Sequence, residues 1–318
     1  MVKEKQKRNW AGYNKAQTLE GVFFVKLVAK FVDALDEEEL WKGNGRPPFP
    51  MKDIIKCLLV LEYFTLSSRR TISILNLLKD DLKLSQVPHF NTLLNYRKKK
   101  EVRAMLEFLL HKIHDSIAEQ DPNLITDSTG KTTTRKKFWR DWKNQPKKST
   151  DFVKAHYTFT EKTLMIAEVS TTKSKGKGTG GPSQFVKHAN SIRKRKVGAG
   201  NWYADGAYCG RPCCKAAGRA GATPVFRVKK NASPKKKGCK EYKDMVNLSR
   251  EHPMIYKRNY NRRAKVESGI HSTKARFSHR ISAQKFYRQK TEILAEAVAY
   301  DISRLPYVIF EFGLTPKF

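Results

Sequence analysis

The chain has 318 residues, with 64 lysines and arginines against 30 aspartates and glutamates, giving a formal net charge of +34. Hydrophobic residues make up 39% and aromatics 11%, enough for two ordinary cores, which excludes full disorder and a small disulfide-stapled scaffold. Five cysteines, four of them bunched unevenly at Cys209, Cys213, Cys214 and Cys239, lack the even framework of a secreted disulfide protein, so a reducing, cytoplasmic setting is expected. Their spacing fits idle buried thiols better than a zinc site. The Lys-rich start runs into no long apolar stretch, and residues 23–32 and 54–64 are interrupted by charge, so neither a leader peptide nor a membrane span is expected.

In chain order, residues 19–40 carry Val22, Phe23, Leu27, Phe31 and Ala34 at helical spacing and end in acids, which predicts a weakly amphipathic helix. A Gly and Pro rich turn over 43–50 leads into a strong helix pattern over 51–66. Further helices are predicted at 68–80 and 89–118, the latter carrying Arg97, Lys98, Lys99 and Lys100. Residues 1–120 therefore read as an all-helical domain for DNA binding or assembly. Its helices at 68–80 and 89–100 suit a helix-turn-helix with Asn91, Thr92, Asn95, Arg97 and Lys98 reaching DNA, or equally a plain bundle making dimer contacts.

After Asp121-Pro122 the pattern changes. Three strands are predicted over 124–128, 151–160 and 163–172, the first ending at Asp127. A Gly and Lys rich loop over 173–182 precedes a helix at 183–197, a strand at 201–205 ending at Asp205, a helix at 211–220 and a strand at 223–229. A basic loop then leads to helices at 260–277 and 284–304. This order predicts a mixed α/β domain over residues 121–318.

The charge is uneven. Residues 1–120 carry a net +6 and residues 121–318 a net +28, a surplus suited to a polyanion whose neutralised phosphates release counterions. Nucleic acid is the expected partner. Acids are so scarce in this field that those present stand out: Asp205 alone among 18 Lys and Arg over 169–240, and Glu267 alone among 11 over 252–291. Each could simply neutralise a neighbouring cation. Two of the three acids, however, sit at predicted strand ends, where α/β sheets bind ligands. Tyr260, Arg263, Glu267, Ile270 and Lys274 follow at helical spacing along one face. Three convergent carboxylates suit a pair of hard divalent cations about 3.5 to 4 Å apart, acting on an in-line phosphodiester displacement. In the segment 131–148, Lys131 and Arg135 accompany Phe138, Trp139 and Trp142, which suit either base stacking or core packing.

The spacing Tyr260, two residues, Arg263, three residues, Glu267, six residues, Lys274 resembles the YREK signature of DDE transposases of prokaryotic insertion sequences. The Asp127-Ser128-Thr129 and Ala204-Asp205-Gly206-Ala207-Tyr208 segments look like that group's two Asp regions, with Ala207 standing where many relatives carry a bulkier or charged residue. The stretch Gly45-Arg46-Pro47-Pro48-Phe49-Pro50 is similar to its N-terminal region, so the resemblance spans about 45–305. It implies a ribonuclease H-like sheet flanked by helices, with Asp127, Asp205 and Glu267 holding Mg²⁺, or Mn²⁺ in its place. It also implies cutting of double-stranded DNA at transposon ends, joining of the 3′-hydroxyl to target DNA, and a homodimer or higher oligomer on DNA, in the prokaryotic nucleoid. Tyr260, Arg263 and Lys274 would contact phosphates. The spacing of 62 from Asp205 to Glu267 leaves little room for an inserted β domain, expected to be absent or reduced to a loop over 230–244. A nuclease of the same fold, or a silent DNA-binding derivative, are the alternatives.

Overall fold

The computed structural model describes residues 8–36, 47–133, 152–234 and 238–318. Arg135, Phe138, Trp139 and Trp142 lie outside the described residues. The chain divides into two compact units, Met1–Ile117 together with Val298–Phe318, and Ala118–Ala297. The sequence expectation of a cut at 120 with everything after it in the second domain is therefore corrected at the C-terminal end. The physical reason is burial: Ile302, Leu305 and Val308 belong to the core of the helical unit.

In the helical unit, α1 (Trp10–Asp33), α2 (Met51–Phe64), α3 (Ser68–Leu77), α4 (Phe90–Tyr96) and α5 (Lys100–Asp115) are joined by the end of the last helix, α11 (Phe286–Phe310). Phe24, Val28 and Val32 of α1 and Ile54, Leu58 and Leu61 of α2 are buried at helical spacing. Rings clasp α1 to the chain's final segment, with Tyr13 against Tyr307, Phe23 against Phe310 and Phe31 against Phe318. Tyr307 donates its hydroxyl hydrogen to Glu20, and Arg8 pairs with Glu311 at 2.8 Å.

Two expectations for this unit are corrected. The connection from Leu78 to His89 far exceeds the turn of about 3 to 4 residues that a helix-turn-helix requires. Arg97 faces inward, only 2% exposed and paired with the buried Glu62, so it does not reach DNA; Lys98 beside it is exposed. The expected helix over 89–118 is split at this point, Lys99 taking an extended conformation that ends one helix and starts the next.

The second unit is built on a five-stranded sheet in the order β3-β2-β1-β4-β5, with β1 (Leu124–Thr132), β2 (Phe152–Thr160), β3 (Ile166–Lys173), β4 (Asn201–Ala204) and β5 (Thr223–Phe226). The first three strands form an antiparallel meander, while β4 and β5 run parallel to β1. Parallel pairing needs crossovers, supplied by α6 (Gly181–Arg195) and α7 (Arg211–Arg219). Phe185, Trp202, Tyr208, Phe226 and the four cysteines form one buried cluster among these elements. The thiols are free and burial raises the pKa of each, so they pack as small apolar groups. With helices flanking this strand order, the unit is ribonuclease H-like.

Between β5 and the helix that carries Glu267, the described residues contain no strand. They form α8 (Lys240–Glu251) and α9 (Pro253–Tyr260) where a basic loop is expected from the sequence. These helices pack onto the end of β5: the Phe226 amide donates to Met245 Sδ, and Tyr256 donates its hydroxyl hydrogen to the Phe226 carbonyl. A 3₁₀ turn, Asn261–Ala264, then leads into α10 (Lys265–Phe277). Among the described residues no helix is long and apolar enough to cross a membrane.

Candidate active site

The register between β1 and β4 places the first two acids. Leu124, Ile125 and Thr126 are opposite Trp202, Tyr203 and Ala204, so continuing the parallel register by one residue sets Asp127 opposite Asp205. Asp127 is not the end of its strand, as the sequence suggested: β1 continues to Thr132 because β2 keeps pairing with it as far as Phe152. It is β4 that stops, at Ala204, opening a notch beside β1 at the level of the two aspartates. Asp205 then caps the turn Gly206–Tyr208, its Oδ1 accepting the Ala207 amide at 2.8 Å, while Asp127 Oδ1 accepts the Ser128 amide at 2.8 Å. Each carboxylate is thus oriented by backbone through one oxygen and keeps the other for a further partner.

Beneath the notch the strands are locked by a buried relay. Trp202 donates its indole hydrogen to Thr126 Oγ1 at 2.8 Å, Thr126 meets Thr158 Oγ1 at 2.8 Å, Thr158 meets His188 Nδ1 at 2.9 Å, and His188 Nε2 meets Ser170 Oγ at 2.9 Å. This chain links β4, β1, β2, α6 and β3, and it passes through Thr126, the residue immediately before Asp127. Tyr208 closes the floor. Its buried phenol is raised above the usual tyrosine pKa by desolvation and then by Asp127 and Asp205, and it hydrogen-bonds Ser128. A Cβ at Gly181 would come within 2.7 Å of the Tyr208 hydroxyl, so the start of α6 needs glycine there.

The third acid arrives on α10. That helix approaches β2 closely because Gly269 has no side chain, and a Cβ there would stand 3.2 Å from the Phe159 ring. Its N-terminal end is moored by Glu161 after β2, which pairs with Lys265 at 2.6 Å and Arg262 at 3.5 Å. Glu267 follows two residues after Lys265, its side chain 69% exposed. Arg263 bridges two of the acids, with one terminal nitrogen 2.6 Å from Asp127 Oδ2 and the other 2.9 Å from Glu267 Oε1. Burial raises the Asp127 carboxyl pKa above the ordinary range, with the Ser128 amide and Arg263 pulling against it.

Tyr260 is half-buried with its ring parallel to that of Tyr256, 6.3 Å between centroids. Burial raises its phenol pKa, and the fields of Arg263, Arg227, Asp205 and Asp127 all reach it, so it borders the notch. The exposed Arg227 and buried Tyr208 are neighbours that the sequence reading did not single out; the signal for Tyr208 was its place three residues after Asp205. Lys274 is half-buried further along α10, its ammonium pKa lowered by burial and then by Lys131. Lys131 itself is a correction. It is 1% exposed and paired with the buried Glu296, because alternation along β1 turns it into the core rather than toward DNA.

An in-register pair of aspartates thus lies at the notch of a ribonuclease H-like sheet, with a glutamate from a later helix tied to it through Arg263. Residues 119–302, more than half the chain, match the family described as the transposase DDE domain, and the chain belongs to that family. A solved structure of a piggyBac transposase synaptic complex with hairpin DNA is similar at 11% identity, covering 96% of this chain and 77% of that one, with a TM-score of 0.39. No curated protein matches the sequence.

Proposed function

We propose that this chain is the transposase of a prokaryotic insertion sequence of the YREK-signature group, cutting phosphodiester bonds at the element's ends and joining the 3′-hydroxyls to target DNA. The observation that carries this reading is the shared level of Asp127 and Asp205 across β1 and β4, with Glu267 tied to the same point through Arg263.

The donor set fits a divalent cation. All three side chains offer oxygen, and the notch already attracts a positive group, since one guanidinium spans Asp127 and Glu267. Asp127, Asp205 and Glu267 would hold Mg²⁺, or Mn²⁺ in its place. Two such ions, when bound, activate the attacking oxygen and stabilise the leaving one. The chain's own contributions are orientation and charge. The Ser128 and Ala207 amides fix the aspartates, the relay beneath them fixes the strands, and Tyr260, Lys274 and exposed Arg227 present phosphate contacts around the rim. Lys98 on the helical unit provides a further phosphate contact. The partner is double-stranded DNA, both element ends and target, engaged by a homodimer or higher oligomer in the nucleoid.

The test is a gel assay with labelled duplex from the element's ends and a target plasmid, in Mg²⁺, Mn²⁺ or chelator, with Asp205→Asn in parallel. Metal-dependent cuts at the boundary with joined products support the reading. Cuts without joining would reassign the chain as a nuclease, and tight binding without cuts in any metal as a silent DNA-binding derivative.

A further inference from the structure

We propose that Arg263 is an internal cation: it occupies Asp127 and Glu267 while DNA is absent and transfers to a DNA phosphate as divalent ions enter, so that ion loading and DNA engagement are one linked equilibrium. This rests on the ion-binding role proposed above for the three acids.

Four observations converge. First, the guanidinium is committed to two carboxylates at once, at 2.6 and 2.9 Å, both from the set that would hold ions. A guanidinium and a divalent ion compete for the same oxygens, because the ion takes them at about 2.0 to 2.1 Å and repels a neighbouring positive charge. Second, Asp127 and Asp205 stand opposite each other across β1 and β4 by register, whereas Glu267 is tied to them through the guanidinium, so Arg263 stands between the third acid and the pair. Third, Arg263 is not satisfied where it stands. Its Nε is buried without a hydrogen-bond partner, an unspent donor of the kind that a phosphate would accept from.

The fourth observation concerns what can move. Arg263 sits in the 3₁₀ turn Asn261–Ala264, none of whose residues is buried, while Arg262 and Lys265 on either side are moored to Glu161. The backbone is therefore held at both flanks and the side chain is the mobile part. A rotamer change that swings the guanidinium outward from Asp127 and Glu267 would bring it toward solvent, in a neighbourhood that already holds the exposed Arg227 and the half-buried Tyr260. By linkage, whatever draws Arg263 away strengthens ion binding, and ions in turn strengthen the hold on phosphate by the same factor. In the absence of DNA the acids are thus kept from loading fully.

The experiment measures Mn²⁺ affinity calorimetrically for the full chain, with and without a short duplex carrying the element's end in which the scissile phosphodiester is replaced by a non-hydrolysable linkage. Wild type, Arg263→Gln, Arg263→Lys and Asp205→Asn are compared, each checked for folding by thermal melting. Arg263→Gln is expected to bind Mn²⁺ roughly 10-fold more tightly than wild type without DNA, while the duplex tightens wild type by a similar factor and the variant little. Arg263→Lys, which keeps the charge but loses the two-pronged reach, is expected to fall between them. Equal DNA-free affinities in wild type and Arg263→Gln, equal DNA-induced tightening in both, or full wild-type behaviour in Arg263→Lys would each overturn the proposal. If Asp205→Asn binds Mn²⁺ as wild type does, it is the ion-site reading itself that fails, whatever Arg263 does.

Discussion

The two halves of the site are built by different means. Asp127 and Asp205 are placed by strand register, each tied to backbone amides, over a floor of Trp202, Thr126, Thr158 and His188 that is fully buried. Glu267, Arg263 and Tyr260 come from α9, a 3₁₀ turn and α10, a stretch whose moorings are side-chain contacts: Tyr256 on Phe226, Glu161 on Arg262 and Lys265, and Gly269 on Phe159. Register changes only in whole residues, and a slip of one turns every side chain to the other face, whereas a helix docked through a few contacts can shift by fractions of an ångström. On the proposed reading, the sheet-borne half would fix where chemistry happens, and the helix-borne half would decide when the third acid is free to take part.

Variants can separate the halves. The largest effect is expected from Asp127→Asn, Asp205→Asn or Glu267→Gln, each costing several kcal/mol of transition-state stabilisation, roughly 10³-fold in cleavage, while duplex binding is retained in filter binding with chelator. Retained cutting in any of them would remove that residue from the site. Next comes Gly269→Val, which forces α10 away from Phe159. Overpacking of this kind costs about 1 to 3 kcal/mol, read by thermal melting, and cleavage should fall further than stability alone explains because Glu267 moves with the helix.

Thr126→Val attacks the other half by leaving the buried Trp202 indole hydrogen unpaired, at about 1 to 3 kcal/mol in denaturant melts. If it lowers cleavage with no change in Mn²⁺ affinity, the relay acts on strand position rather than on the acids' charge. The smallest effect is expected from acid. His156 in the same sheet is held neutral, its pKa lowered from 6.5 to about 4 by burial and then by His188, Lys154 and Lys187. A depressed folded-state value means that its contribution to stability is complete above pH 6.5 and is lost as pH falls toward 4. The melting temperature should decline over that window, and His156→Gln should flatten the decline.

Much of the sheet-borne half was legible in the sequence because it rests on local signals: short apolar runs ending at Asp127 and Asp205 in a field otherwise almost free of acids. Helices at 183–197 and 211–220 were placed to within two residues of α6 and α7 for the same reason. What escaped was settled by distant partners. Arg97 and Lys131 read as surface cations, yet each meets a glutamate, Glu62 and Glu296, that the chain brings back from far away. The helices α8 and α9 were missed because α8 buries only Met245 and Val246 and α9 buries nothing, leaving no periodic apolar face to read. The early stop of β4, which makes the notch, is likewise a property of pairing and not of any single segment.

The division of the chain has a consequence for how the protein is made. The helical unit takes its last wall from residues 298–318, with Tyr307, Phe310 and Phe318 packed against the first helix, whereas the sheet unit is contained within residues 118–297. During synthesis, which proceeds from the N-terminus, the sheet unit has all its strands before the helical unit that precedes it can be completed. α1 meets α2 early, Phe24 stacking on Tyr63, but Tyr13, Phe23 and Phe31 must wait for Tyr307, Phe310 and Phe318. Residues 118–297, with the acids and their scaffold, are therefore synthesised before the 298–318 segment that supplies the last wall of the helical unit.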